Sequence, residues 1–200
     1  MEKKYYFDKE VYSKPGHEFR FEFEKEVIDI ILKHKNSGNV LDLGCGEGGN
    51  SIELAKHGFE VTCVDISETV IKRLKEFCSK NSIAAKIICA DLDRYIIDEK
   101  YDIILSTGVY HFLSQGEIYR LLGEARKMTN KNGLNIFYVL LEGDPTQAEN
   151  PGGHYFRRDE LESVYVAAGW NIIAYEEFFE FDDSTMINHK MARLVAKKVA

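Results

Sequence analysis

Residues 40–49, VLDLGCGEGG, constrain the fold more than any other stretch of this chain. A short apolar run ends there against Gly44, Gly46, Gly48 and Gly49. Glycine lacks a Cβ, so the chain can turn sharply and another group can approach its bare backbone. A strand that ends in such a loop and feeds a helix turns backbone N–H groups and a helix N-terminus toward a ligand. In open α/β sheets, ligands sit at the carboxyl ends of the strands. Gly44, Gly46 and Gly49 also satisfy G-x-G-x-x-G, the spacing of dinucleotide-binding loops.

The rest of the chain repeats the strand–helix alternation. NVLDL, EVTCVD, KIICA, YDIILS and NIFYVLL are short runs rich in Val, Ile, Leu and Phe, and read as strands buried on both faces. Helical stretches fall between them, over 49–57, 68–80 and 116–129. In the second, Val70, Ile71, Leu74 and Phe77 share one face. This order predicts an α/β fold with a parallel sheet. At the end, WNIIAYEEFFEF and HKMARLVAKK are joined only by DDSTMIN, which predicts an antiparallel hairpin. A chain of 200 residues suits a single domain.

The front carries seven aromatics within 23 residues: Tyr5, Tyr6, Phe7, Tyr12, Phe19, Phe21 and Phe23. FRFEFE alternates like a strand, yet Phe19, Phe23, Val27, Ile30 and Ile31 also fit a helix, which the following VIDIILKH favours. Two readings stay open for this segment: packing against the sheet edge, or a lid over a ligand.

The formal charge of −7 and the scattered basic pairs (Lys72-Arg73, Arg157-Arg158) argue against nucleic acid and anionic membranes as partners. No run reaches the ~18 apolar residues of a membrane helix, and MEKKYYFDKE has no signal-peptide core. Cys45, Cys63, Cys78 and Cys89 form no C-x-x-C pair, which argues against metal ligation. Cys63 and Cys89, within apolar runs, read as reduced core thiols. Together these point to the cytoplasm.

Asp65 closes the second strand run 21 residues past Gly44, where a carboxylate meets ribose hydroxyls. The alternative is a cap on the helix that starts near Ser67. Two acids argue against a pyrophosphate in the loop. Asp42 lies inside an apolar strand and needs a partner, for which a ligand ammonium is suited. Glu47 adds a further anion to the loop itself.

VLDLGCGEG resembles the first motif of the class I methyltransferases that use S-adenosylmethionine (SAM). The likeness continues through VTCVDIS, the ribose-binding acid motif, ICADLD at the third strand end, YDIILSTGVYHFL at the fourth, the turn TNKNGL before the fifth, and the closing hairpin. It implies a Rossmann-like, seven-stranded, mostly parallel sheet with helices on both faces and an antiparallel seventh strand. It implies a single SAM-dependent methyltransferase domain over 1–200: an N-terminal lid or helix (1–35), a SAM-binding core (36–140), and a substrate loop, helix and hairpin (141–200). It places Asp42, Gly44, Cys45 (backbone only) and Gly46 around the methionine part. Asp65 and Ile66 would flank ribose and adenine, Asp91 and Leu92 the adenine edge, and Ser106 would sit under the methyl donor. Within that family, YDIILSTGVYHFL, HYFRRDELESVYVAAGW and MARLVAKK are similar to the tellurite-resistance type of small-molecule methyltransferases. EEFFEFDDSTMINHKMA lacks the His-Arg and Gly-Asn-Arg elements of those enzymes, so the acceptor atom stays open among O, N, S and chalcogens.

Methyl transfer from a sulfonium is an in-line displacement for which positioning supplies much of the rate. An O or N nucleophile also calls for a base. His111 and Tyr110 follow the fourth strand and are the candidates for catalytic contact. The long loop 142–154, EGDPTQAENPGGH, has the composition of a binding loop. His154, Tyr155 and Arg157 at its end, with His17 near the lid, are the candidates for substrate contact, Arg157 for an anionic group. Alternatives to a small-molecule methyltransferase are a SAM-binding protein without catalysis, a nicotinamide-dependent oxidoreductase, and a protein methyltransferase. The expected assembly is a monomer or homodimer.

Overall fold

The structure is a computed structural model that describes residues 6–13, 19, 21–150, 152–182 and 186–199. Tyr5 and His17 lie outside the described residues. The strands are β1 (Asn39–Leu43), β2 (Glu60–Asp65), β3 (Ala85–Cys89), β4 (Tyr101–Thr107), β5 (Thr129–Leu140), β6 (Asn171–Asp182) and β7 (Ile187–Lys197). The helices are α1 (Lys25–His34), α2 (Gly49–Lys56), α3 (Glu68–Lys80), α4 (Gln115–Met128) and α5 (Glu160–Ala167). The sheet order is β3-β2-β1-β4-β5-β7-β6, with β6 and β7 antiparallel and the first five strands parallel where paired, as the alternation and hairpin predict. Two compact units divide the chain, Met1–Tyr95 and Ile96–Ala200.

In the first unit, β1 buries Val40, Leu41 and Leu43 completely. Its register with β2 sets Asp42 beside Cys63 and Leu43 beside Val64. Helix α3 starts where Ser67 Oγ accepts from Val70 N at 3.1 Å, a side-chain cap. It buries Val70, Ile71, Leu74 and Cys78. Phe77, at the margin of that face, stacks on Phe21 with ring centroids 4.1 Å apart. The expectation that all strands are buried on both faces fails at β3. As the edge strand it leaves Ile87 and Ile88 half-buried and Cys89 exposed. Cys89 is therefore not a core thiol, whereas Cys63 is.

In the second unit, α4 begins at a capping box: Ser114 Oγ accepts from Glu117 N, and Glu117 Oε2 accepts from Ser114 N. Its Ile118, Leu121, Leu122 and Ala125 are buried. The expected turn at TNKNGL is present as an irregular start to β5. Pairing jumps from Tyr101↔Thr129 to Ile103↔Leu134, and Asn132 has a φ of 61°. Tyr165 donates to Asn135 Oδ1 at 2.8 Å, and Asn135 Nδ2 donates to Thr129 Oγ1 at 2.8 Å, so a buried polar chain ties α5 to β5.

Candidate functional site

The glycine loop sits at the carboxyl end of β1, and β2 takes three of its N–H groups. Gly44 N and Cys45 N donate to Val64 O at 2.8 and 3.0 Å, Gly46 N to Asp65 Oδ2 at 2.9 Å, and Gly48 N to Cys45 O at 2.9 Å. The loop therefore offers close backbone approach rather than a ring of donors. Gly49 shows a second use of a missing Cβ: a Cβ there would stand 1.7 Å from Glu22 O, so residues 22–23 lie directly on the start of α2. Asn50 Oδ1 accepts from Glu24 N at 2.8 Å and fixes that crossing.

Two buried carboxylates flank the loop. Asp42 is 2% exposed, and burial raises its carboxyl from the ordinary carboxylate value to about 7, against the lowering hydrogen bond that Ser51 Oγ donates at 2.7 Å. Asp65 is 8% exposed and accepts from Ser67 N at 2.9 Å as well as from Gly46 N. Burial raises it too, despite those N–H donors, and the charge of Asp8 adds to the rise. Ser67 caps α3, while Asp65 braces both Ser67 and the glycine loop. The Cys45 thiol is pushed up by a hydrogen bond with Cys63 and by burial, so it stays protonated. Ile66 is half-buried, Leu92 is buried, and Asp91 Oδ1 accepts from Asp93 N at 3.0 Å.

The second unit holds Ser106, 2% exposed at the end of β4, and a polar cluster that divides the expected substrate residues. Tyr110 is 1% exposed, its ring 5.5 Å from Phe137 and 6.3 Å from Phe156, and its hydroxyl has no partner among the described residues. It is a core residue in position, although it follows the β4 strand end. His111 keeps a buried Nδ1 without a partner among the described residues, and its ring centroid is 6.1 Å from that of Tyr155. Burial lowers its imidazole to about 4, with Asp144 opposing and His189 adding. His111 is neutral near pH 7.

Tyr155 shares a hydrogen bond of 3.2 Å with Thr146 Oγ1, which donates to Asp144 at 2.5 Å. Asp144 also accepts from Thr146 N, Lys190 N and His189 Nδ1, the last at 3.2 Å. Burial would raise Asp144, but these donors outweigh it and hold the carboxyl below its usual range. His154 and Arg157 belong to a different group. His154 Nε2 is 3.0 Å from Glu160 Oε1, Tyr119 donates to the same oxygen at 2.7 Å, and Arg157 Nε reaches Glu160 Oε2 at 3.5 Å. The Arg157 side chain is 71% exposed and borders a groove of about 530 Å³ with Tyr119 and Arg158. His111 and Tyr155 are thus brought together, and His154 and Arg157 are not brought to them by any hydrogen bond. Asp144 and His189 are central residues that the sequence reading passes over. The Asp-Pro-Thr turn signal at Asp144 was available. No spacing links it to His189, 45 residues away.

Among the described residues no group of His, Cys, Asp and Glu is placed to hold a metal ion, and no helix is long and apolar enough to cross a membrane.

Comparison with known proteins gives this arrangement its context. The probable S-adenosyl-L-methionine-dependent methyltransferase TehB of Haemophilus influenzae is 30% identical over 164 residues, which cover 80% of this chain and 57% of that protein. The sarcosine/dimethylglycine N-methyltransferase of Aphanothece halophytica is 30% identical over 176 residues, 82% of this chain and 61% of that one. The crystal structure of TehB from Haemophilus influenzae superposes with a TM-score of 0.79 at 28% identity, covering 98% of this chain and 66% of that one. The chain thus spans little more than half the length of these curated relatives. The family model described as tellurite resistance protein TehB matches residues 2–191. On that match, the chain belongs to the TehB family.

Proposed function

We propose that this protein transfers a methyl group from SAM to a small-molecule acceptor. The observation that carries the reading is the pair of buried acids, Asp42 and Asp65, beside a glycine loop whose N–H groups at 44, 45, 46 and 48 are already bonded within the unit. A pyrophosphate needs such donors and is repelled by both acids. SAM matches the site instead. Its amino group pairs with Asp42, its ribose diol donates to Asp65, and no phosphate is present. Ile66, Asp91 and Leu92 would border the adenine, and Gly44, Cys45 and Gly46 the methionine part. The relatives' names point the same way: a methyltransferase for TehB, an N-methyltransferase for the Aphanothece protein.

For the acceptor we assign the second unit, with His111 as the group that receives the acceptor's hydrogen bond or proton. Its neutral imidazole, with an Nδ1 that has no partner among the described residues, suits an acceptor that arrives protonated, such as a hydroxyl, amine or thiol. Tyr155, held by Thr146, would line the acceptor's path. His154 and Arg157 are assigned to the loop's own anchoring through Glu160. The four cysteines are free thiols, which agrees with a cytoplasmic location. The test is transfer of radiolabel from methyl-labelled SAM to a panel of hydroxyl, amine, thiol and oxyanion acceptors. Product on one class, lost in His111→Ala, supports the reading. SAM binding with no product on any class would leave a binding protein without catalysis.

A further inference from the structure

His111 is the middle residue of the 3₁₀ turn Tyr110–Phe112 that follows β4. The turn's own backbone bonds end on its neighbours: Phe112 N donates to Val109 O at 3.0 Å and Leu113 N to Tyr110 O at 2.9 Å. His111 O takes its donor from 39 residues away, where Asn150 Nδ2 reaches it at 2.8 Å. Gly153 closes on the same atom. A Cβ there would stand 2.1 Å from His111 O and 2.4 Å from Asn150 Nδ2. The φ of Gly153 lies outside the left-handed region, so this contact, and not backbone conformation, calls for glycine.

Asn150 is itself fastened. Its N–H donates to Thr146 O at 3.1 Å, and Gly153 N donates to Asn150 O at 3.1 Å. Thr146 is held by Asp144 and shares its hydrogen bond with Tyr155. A chain of bonds therefore runs from Asp144, at the base of the long loop, to the carbonyl of His111. The His111 ring is held by packing instead. It lies against Phe112, ring centroids 3.9 Å apart, and its Nδ1 has no partner among the described residues. Such a ring takes its orientation from its own backbone and from the rings around it. Asn150 and Gly153 act on that backbone.

We propose that Asn150 is a positioning residue for His111: its amide, with Gly153 packed on the same carbonyl, clamps the 3₁₀ turn so that the imidazole keeps its buried place. The proposal rests on the assignment of His111 to the acceptor, and it gives the long loop a part in the reaction that acts through His111.

The test is an NMR pH titration of the His111 imidazole in wild type, Asn150→Ala, Gly153→Ala and the double variant, with the resonance assigned by its loss in His111→Ala. The titratable groups that face the ring, Asp144, His189 and Tyr155, are the same in all four proteins. Burial lowers the wild-type imidazole to about 4, so it should stay neutral between about pH 5.5 and pH 8. Each single variant should raise the midpoint by about one pH unit as water reaches the ring, and the double variant should add little. On the acceptor class that gives product in the panel above, kcat should fall by about tenfold, with affinity for S-adenosylhomocysteine (SAH) within about twofold of wild type. A melting curve for each variant keeps folding apart from positioning. Folded variants with the wild-type midpoint would overturn the proposal, because a merely structural role lowers stability without moving the ring. A shifted midpoint with full turnover would overturn it as well. Both results leave the acceptor reading standing, and that reading fails by itself if His111→Ala keeps full turnover.

Discussion

The two units build their polar sites in opposite ways. In Met1–Tyr95 the key groups lie at the ends of adjacent parallel strands, so Asp42 and Asp65 are set by register and by short connections. In Ile96–Ala200 the key groups come from a 3₁₀ turn, a long loop and an antiparallel strand, and Asp144 meets His189 only once β7 has returned beside β5. A site made at strand ends depends on spacing along the chain. A site made by loop and hairpin depends on the finished tertiary structure.

Substitutions can break this contrast. Asp65→Ala should carry the largest cost to ligand binding, about 1.5–3 kcal/mol on SAH, because a charge-assisted hydrogen bond to ribose is lost. Calorimetry measures it, and unchanged affinity would remove Asp65 from the ribose role. Asp144→Ala should produce the mirror effect. Four donors from Thr146, Lys190 and His189 lose their acceptor, so stability should fall by about 2–3 kcal/mol. SAH affinity should meanwhile stay within about 0.5 kcal/mol. A thermal melt beside a titration separates the two quantities, and a large loss of SAH affinity would couple what the contrast keeps apart.

Protonation sharpens it further. Burial raises Asp42 in the folded protein to about 7, so its ionisation costs stability as pH rises from the unfolded carboxylate value toward 7, and the cost is constant above that. A ligand ammonium favours the ionised form. SAH affinity should therefore rise by about tenfold from pH 6 to 8, with proton release near pH 7, and Asp42→Asn should flatten the profile. Titrations in buffers of differing ionisation enthalpy detect the proton. His111 behaves differently, because burial lowers it to about 4. Turnover should show no limb near pH 6.5 from this residue, and an imidazole limb there that vanishes in His111→Ala would contradict its neutral state. The smallest effect is expected at Arg157. Its exposed contact with Glu160 should be worth less than about 0.5 kcal/mol, so Arg157→Ala should leave melting temperature and turnover close to wild type.

Much of the first unit could be read in advance for a physical reason. The α3 bounds follow from the Ser67 cap and the apolar face of Val70, Ile71 and Leu74. The place of Asp65 at the end of β2 is visible because strand, loop and helix lengths in such a unit vary little. The same reading treats β3 as buried because its apolar run carries no mark of being an edge, and Cys89 is misplaced with it. It treats Tyr110 as a site residue because position after a strand does not tell whether a ring turns inward, and here the ring packs on Phe137 and Phe156. Asp144 and His189 are out of reach altogether: their pairing is a product of the β5–β7 register, Leu140↔Met191, and not of any local pattern.

The central claim is that the glycine loop and its two acids hold a charged amino-acid nucleoside and refuse a pyrophosphate. Side-by-side calorimetric titration of the wild-type protein with SAH and with NADH tests it most directly. The account predicts one SAH bound per chain, a proton released near pH 7, and no saturable heat with NADH. Saturable NADH binding at an affinity equal to that of SAH, or no binding of SAH at all, would contradict it.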